Sequence, residues 1–309
     1  MKEIIIVTAF FDIGRKDFGS YARSAETYLQ YFRFWAGIQN RMMIFCQPQY
    51  TESIRSVRQE YGLADKTEIT VIENIFDIEP RLFERMKRVE NDRDFQTFRY
   101  YSAPENRADY SYAVMLKAWC MAQAAEHCSD DCMIAWVDFG INHSDYKYAD
   151  SSEFRFLWEH DFPDKITVFC HFSPDTISLI DSLQFMVPCF DGSSVIMPQN
   201  LCQHYWEAVL DAMKTLVKVG CIDDDQMLSL IVYKNEPELF NIILENGWYS
   251  VFELCCGRTF TLSPVPQGDG SAAAKSAQIV SKLSKMPQHP FIKRMYAKTI
   301  RYYYGQIKD

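Results

Sequence analysis

The sequence lacks the short motifs that mark several common enzyme classes. Its 12 glycines form neither a GxGxxG nor a GxxxxGK[ST] loop, which excludes the standard dinucleotide-binding and P-loop interpretations. It has no GxSxG segment, the turn that carries the nucleophile of α/β-hydrolases. No apolar stretch approaches the roughly 18 residues that a membrane-spanning helix requires. These absences leave a globular enzyme or binding protein of another class.

Cysteine is present without the features of a secreted or zinc-binding protein. None of the ten cysteines forms a CxxC pair, the spacing typical of structural zinc sites. The first apolar run, residues 4–11, is too short for a secretory signal and is followed at once by Asp12 and Arg15. We therefore predict reduced cysteines that fill the core of a cytoplasmic protein.

Charge is distributed unevenly along the chain. The formal net charge is −9, but residues 272–309 contain eight basic side chains and only one acidic side chain, so the rest of the chain carries −16. A main domain this acidic argues against nucleic-acid binding. The basic segment follows a linker rich in proline and glycine, residues 264–274.

The basic tail, residues 275–309, alternates its charges with apolar and aromatic side chains. This pattern predicts an amphipathic helical tail that binds an anionic membrane surface. The protein would then be peripheral on the inner face of the cytoplasmic membrane. In the alternative interpretation the tail packs back on the acidic body of the protein.

The order of the elements predicts the fold class. Short, continuous apolar runs alternate with segments of helical periodicity, which predicts an α/β domain, residues 1–263, with a mostly parallel sheet covered on both faces by helices. We predict strands at residues 4–10, 42–46, 68–72, 133–137 and 167–172, a short strand after a turn within 189–197, and an edge strand at 247–254. We predict helices at residues 24–38, 51–61, 110–128 (strongly amphipathic), 201–219 and 224–233.

Asp138 ends the most informative run of the chain. The apolar residues 133–137 lead directly to this carboxylate, and Gly140 follows two positions later. Ligands of open α/β sheets bind beyond the carboxyl ends of strands, and a hard oxygen ligand there suits Mg²⁺ or Mn²⁺ together with a diphosphate. The alternative is a buried strand that ends in an ordinary turn. His143, in the same loop, is a further candidate ligand for a metal or a phosphate.

The end of the first strand carries groups suited to a nucleotide. Thr8 supplies a hydroxyl, and Phe10 or Phe11 supplies an aromatic ring that would stack on a base. Asp12 would accept a hydrogen bond from a uracil N–H, and Arg15 would bind phosphate. Without a glycine-rich motif, this loop taken alone is weak evidence for function.

The helix at 110–128 offers a second place for a donor diphosphate. Helix N-termini present free N–H groups to anions. Arg107 precedes this helix, and Lys117 lies about two turns into it. Both side chains are candidates to reach a diphosphate, although basic residues on helices are more often simply solvated.

Asp223, Asp224 and Asp225 begin the helix at 224–233. Acidic residues cap helix N-termini and interact favourably with the positive end of the helix dipole, which is a sufficient structural reason for one of them. Three adjacent carboxylates also repel one another, and close carboxylates raise one another's pKa, which suits a general base. We therefore predict a functional role, as a general base, for an acid of this group.

Three segments together resemble the HtrL/YibB family of bacterial proteins, which is associated with lipopolysaccharide and surface-polysaccharide genes. The segments are Val7 to Arg15, Asn106 to Tyr110 and Trp136 to Gly140, and the resemblance covers roughly residues 1–260. That family looks like glycosyltransferases of the GT-A type, which have one Rossmann-like domain with a mixed sheet. In such enzymes a DxD motif holds the metal and the donor diphosphate. Here Asp138 keeps the first acid, and Gly140 replaces the second.

The resemblance implies a GT-A-type hexosyltransferase. The donor would be a nucleotide-diphosphate sugar, most simply UDP-linked, and the acceptor a growing surface glycan or a lipid-linked glycan of lipopolysaccharide. Asp138 would bind Mn²⁺ or Mg²⁺. The run from Asp224 to Gln226 resembles the acidic helix-start motif of inverting members, so Asp225 or Asp224 would be the catalytic base, and inversion is mildly favoured. Residues 189–197 resemble a glycine-containing loop on the acceptor side. The rivals are a sugar nucleotidyltransferase and a non-catalytic glycan-binding or assembly protein with a degraded transferase fold.

Overall fold

The computed structural model describes residues 1–99, 104–129, 131–143, 148–245 and 248–263. The strands are β1 Glu3–Phe10, β2 Met42–Cys46, β3 Thr67–Val71, β4 Cys132–Val137, β5 Ile166–Cys170, β6 Phe190–Pro198 and β7 Phe240–Leu244. The helices are α1 Ala25–Trp35, α2 Thr51–Glu60, α3 Pro80–Glu90, α4 Arg93–Phe98, α5 Ala108–Ala125, α6 Leu179–Phe185, α7 Cys202–Lys218, α8 Asp225–Asn235 and α9 Val251–Cys255.

The strands form one mixed sheet in the order β3-β2-β1-β4-β6-β5-β7. All neighbouring pairs are parallel except those of β6, which runs antiparallel to β4 and β5. The chain adds β2 and β3 on one side of β1 and then places β4 on the other side. This reversal creates a topological switch point between β1 and β4, where open α/β sheets bind ligands. The predicted mixed, mostly parallel α/β fold is confirmed.

Helices cover both faces of the sheet because successive side chains of a strand point to opposite faces. Ile5 and Val7 of β1 pack in one core with α3, α5, α7 and α8. Ile4 and Ile6 pack in a second core with α1, α2 and α9. Both faces of β1 are apolar, which is typical of a central strand buried on two sides.

Helix α5 differs from the amphipathic helix that the sequence predicted. It is buried around most of its circumference, through residues such as Tyr112, Met115, Leu116 and Met121. The helix lies between the sheet and the helices α3 and α7, so it has no continuous solvated face. A helix that is apolar on most sides is a core helix, and polar side chains on it require a specific partner.

Three predictions about the second half of the sheet need correction. Residues 191–194, predicted as a turn, lie inside the long strand β6. The predicted edge strand at 247–254 contains instead the short helix α9, since its aromatic side chains pack into a core without joining the sheet. The strand at this edge of the sheet is β7, which runs parallel to β5. No strand was predicted for the residues of β7. In each case long-range packing overrides the local pattern.

Two further predictions concern the cysteines and the tail. All ten cysteines are free, and eight of them are buried, as expected for core residues. No helix among the described residues combines the length and apolar character needed to cross a bilayer. The linker at 264–274 and the basic tail at 275–309 lie outside the described residues.

Candidate active site

A cleft opens at the switch point between β1 and β4. It is open to solvent and has a cavity volume of about 230 Å³. Its walls come from the carboxyl ends of β1 and β4, the start of β6, the first half of α5 and the start of α8. Because β6 is antiparallel to β4, its N-terminal end lies at the same edge of the sheet as the carboxyl end of β4. The cleft thus gathers side chains from elements that are far apart in the sequence.

Lys117 of α5 lies at the centre of this cleft. Its ammonium nitrogen is 2.9 Å from Asp138 Oδ1 and 2.9 Å from Asp225 Oδ2, and it donates to the Gly192 carbonyl oxygen at 2.8 Å. An ammonium has three donors, so these contacts use all of them. Trp136 Nε1 also donates to Asp138 Oδ1, at 2.7 Å. Two carboxylates that the sequence assigned to different roles are therefore joined by one cation.

The electrostatics of this group follow from its burial. Burial disfavours the charge of Lys117, but Asp138 and Asp225 outweigh that effect and raise the lysine pKa above its ordinary value. Burial raises the pKa of Asp225 to about 6, the attraction of Lys117 limits the rise, and the negative charge of Asp138 adds to it. A carboxylate of this kind is deprotonated at neutral pH and can still accept a proton, as a general base must.

The three adjacent aspartates at the start of α8 have three different environments. Asp223 forms a buried ion pair with Arg99, and burial raises the pKa of Asp223 to about 6 although Arg99 opposes the rise. Asp224 is the N-cap, with its side chain accepting from the backbone N–H groups of Gln226 and Met227. Asp225 alone among them lines the cleft. The capping explanation thus holds for Asp224, and the candidate base is Asp225.

Gly192 makes the position of Asp225 possible. A Cβ atom added to Gly192 would lie 2.6 Å from Asp225 Oδ2 and 3.1 Å from Gln226 Cγ. Real Cβ atoms do not approach other heavy atoms that closely, so any side chain here would displace the carboxylate. The close approach of β6 to α8 also lets Lys117 contact the Gly192 carbonyl oxygen. A glycine inside a strand commonly marks such an approach.

The residues predicted from the first strand divide between the cleft and the core. Asp12 and Arg15 line the cleft. Asp12 is oriented by the Tyr50 hydroxyl, which donates to it at 2.7 Å. Phe10 touches the cleft but is only 4 % exposed, so the more exposed Phe11 is better placed to stack on a base. Thr8 is fully buried and does not line the cleft.

Arg107 and Gly140 have structural partners. Arg107, the N-cap residue of α5, pairs with Asp109 at 2.7 Å and lies over the ring of Phe18, 4.0 Å from its centre; it does not line the cleft. Gly140 does line the cleft. A Cβ atom there would lie 3.1 Å from the ring of Tyr28, so packing against α1 favours glycine at this position.

Several cleft residues were not among the predicted site residues. Asp191 accepts from the backbone N–H of Tyr249 at 2.7 Å, and the Tyr249 hydroxyl hydrogen-bonds His143 at 2.6 Å. Tyr249 has a φ of 63°, a backbone conformation that a non-glycine residue adopts only when its surroundings hold it. Trp248 and Arg23 complete this side of the cleft. The sequence pointed to this wall through His143 and through the glycine-containing segment 189–197.

The residues around Asp138 do not fit a divalent cation. Its Oδ1 atom already accepts from Lys117 and Trp136, and an ammonium beside the site would repel a metal ion. Among the described residues, no group of three or more His, Cys, Asp and Glu side chains is arranged to hold a metal. The binding of Mn²⁺ or Mg²⁺ at Asp138 stays a prediction.

Comparison with known proteins identifies the family. The family model described as "Bacterial protein of unknown function (HtrL_YibB)" matches residues 2–257. The chain belongs to the HtrL/YibB family. A family relative, Protein HtrL of Escherichia coli (strain K12), is 26% identical over 279 residues, which cover 83% of this chain and 93% of the relative. The family predicted from the sequence is confirmed.

A solved structure of another protein matches over most of the chain. It is the apo form of mouse xyloside xylosyltransferase 1, which matches with 12% identity and a TM-score of 0.39 over 84% of this chain and 95% of that chain. A match of this strength does not bear on the activity of this chain, which depends on the site itself.

Proposed function

We propose that this chain is a glycosyltransferase that moves a hexose from a nucleotide-diphosphate sugar, most simply a UDP-sugar, to a hydroxyl of a surface-glycan or lipopolysaccharide acceptor. The observation that carries the proposal is the Asp138–Lys117–Asp225 group in the cleft at the switch point. It combines a carboxylate suited to proton abstraction with a cation suited to a leaving diphosphate. Such a transfer requires both groups in one site.

The donor half of the cleft has the chemistry of a nucleotide-diphosphate site. Two basic side chains, Lys117 and Arg15, line it. Arg15 lines the cleft, and a guanidinium there suits a phosphate group because its N–H groups match the geometry of phosphate oxygens. Phe11 supplies an aromatic surface on which a base can stack. The carboxylate of Asp12, which is held by the Tyr50 hydroxyl, supplies an acceptor for a uracil N–H.

The proposed reaction is a single displacement at the anomeric carbon. Asp225 accepts the proton of the acceptor hydroxyl as that oxygen bonds to the anomeric carbon. The bond from this carbon to the diphosphate oxygen breaks, and its electron pair leaves with the nucleoside diphosphate. The positive charges of Lys117 and Arg15 stabilise the charge that develops on the diphosphate. A single displacement of this kind inverts the anomeric configuration.

A donor screen tests the proposal. Thermal unfolding of the full chain is measured with UDP, GDP, CMP and a panel of nucleotide-sugars, because a ligand that binds the folded state raises the melting temperature. Any donor found is then incubated with the protein and candidate glycan acceptors, and release of the nucleoside diphosphate is followed. We expect one nucleoside diphosphate and its sugar to stabilise the wild type, and Arg15→Gln to weaken that effect.

Two results would contradict the proposal. The first is the absence of stabilisation by every nucleoside diphosphate and nucleotide-sugar, confirmed by calorimetry. The second is binding of a nucleotide-sugar without transfer to any acceptor and without hydrolysis, which would favour a non-catalytic glycan-assembly protein.

A further inference from the structure

The ammonium of Lys117 lies in a cage of oxygen atoms. Its three neighbours are carboxylate oxygens of Asp138 and Asp225 and the backbone oxygen of Gly192, at 2.8–2.9 Å. Carboxylate and carbonyl oxygens are also the ligands that Mg²⁺ and Mn²⁺ prefer. The cage thus has the composition of a divalent-metal site, but its centre is taken by a side chain of the same protein.

Two further features keep the cage in this form. The Lys117 nitrogen lies 2.9 Å from both Asp138 Oδ1 and Asp225 Oδ2, so two opposite charges hold the ammonium in the cage. Gly140, two residues after Asp138, packs against the ring of Tyr28, which a Cβ atom would approach to 3.1 Å. A carboxylate at position 140, which a metal would use as a ligand, would therefore require the Tyr28 ring to shift.

We propose that the Lys117 ammonium takes the place of a divalent cation in this site, and that nucleoside-diphosphate binding and transfer are independent of metal. The second part rests on the proposed glycosyltransferase function. The first part concerns the cage alone and can be tested without any substrate. Lys117 suits the role because an ammonium acts as a compact point charge.

The first experiment measures Mn²⁺ binding to the full chain by electron paramagnetic resonance. We expect no saturable Mn²⁺ site in the wild type. Lys117→Ala removes the ammonium and leaves the oxygen cage, so this variant should acquire one saturable Mn²⁺ site that the wild type lacks. The exposed Lys218 gives a matched control, Lys218→Ala, which should behave as the wild type.

A second substitution locates the site. Adding Asp138→Asn to Lys117→Ala should abolish the acquired Mn²⁺ binding. If Lys117→Ala does not fold, Lys117→Met replaces it, because its longer side chain keeps more of the packing of α5. The first part of the proposal is overturned if the wild type binds Mn²⁺ at a site that Asp138→Asn removes, or if the folded lysine variants acquire no Mn²⁺ site.

The second experiment compares UDP affinity in EDTA and in Mn²⁺ by calorimetry. We expect the two dissociation constants to agree within about twofold, whereas Lys117→Ala should bind UDP more weakly in EDTA and recover in Mn²⁺. A loss of wild-type affinity of about tenfold or more in EDTA overturns metal independence. If UDP does not bind under either condition, the donor assignment fails, and the Mn²⁺ measurements still decide the role of Lys117.

Discussion

Replacing Asp225 by Asn, with Asp224→Asn as its control, separates the catalytic and capping roles of two adjacent buried aspartates. Asp225 lines the cleft and contacts Lys117 at 2.9 Å. Asp224 caps α8 through the N–H groups of Gln226 and Met227. Asn is as good an N-cap as Asp, so Asp224→Asn preserves the cap. The same change at Asp225 removes the proton acceptor.

The expected magnitude follows from the chemistry of a general base. Proton transfer by a positioned side chain contributes about 10²- to 10⁴-fold, which corresponds to about 3 to 5 kcal/mol of transition-state stabilisation. We therefore expect Asp225→Asn to lower kcat by about 10²-fold or more. Asp224→Asn should keep kcat within about threefold of the wild type, because it leaves the cleft unchanged. Neither change should alter UDP affinity by more than about threefold, because neither removes a cation of the donor site.

The pH dependence gives a second readout for the same pair. Burial raises the pKa of Asp225 to about 6, with Lys117 limiting the rise. A base acts in its deprotonated form, so wild-type activity should be full above this pKa and fall as the pH drops through about 6. The assay is release of the nucleoside diphosphate from the donor as a function of pH. The acid limb should persist in Asp224→Asn and be absent from the residual activity of Asp225→Asn.

Two outcomes would refute this reasoning. If Asp225→Asn is as active as the wild type, the cleft carboxylate is not the base. If both variants lose activity equally and both show lowered melting temperatures, the losses arise from the folding of α8, and no separate catalytic role follows.

Three further predictions address other parts of the molecule. Gly192→Ala should lower kcat by about 10²-fold, because its Cβ atom would lie 2.6 Å from Asp225 Oδ2 and displace the carboxylate, and a misplacement of about 1 Å has effects of that order. Near-wild-type turnover would contradict the assigned position of the base. Arg15→Gln should weaken UDP binding about tenfold in calorimetry. Arg107 lies outside the cleft, so Arg107→Gln should leave the UDP dissociation constant within about twofold of the wild type. Equal effects of the two changes would place the phosphates elsewhere. In flotation with anionic liposomes the full chain should bind the liposomes, and a chain ending at Ser271 should not, because each basic residue near such a surface contributes about 1 kcal/mol of binding free energy. Equal flotation of the two chains would exclude the tail as the membrane-binding segment.

Local patterns in the sequence were sufficient for most of the first half of the fold. The strands β1 and β2 are largely apolar runs, and β3 is rich in β-branched residues. The helices between them have a clear cap or clear periodicity. The second half was less predictable. Residues 191–194 look like a turn because Asp, Gly and Ser favour turns. In the structure the two ends of this segment are held by neighbouring strands, since Phe190 pairs with β5 and Ser194 pairs with β4. The partners of a strand, rather than its own residues, decided that segment.

The sequence by itself determined which chemical groups are available: an aspartate ending a central strand, three acids at a helix start and a lysine on α5. Only the tertiary structure decided how they combine. Lys117 meets Gly192 and Asp225 across 75 and 108 residues of chain. The contact requires α5, β4, β6 and α8 to pack at one edge of the sheet. Ion pairs depend on distance and burial, and both are set by long-range packing that no local pattern records.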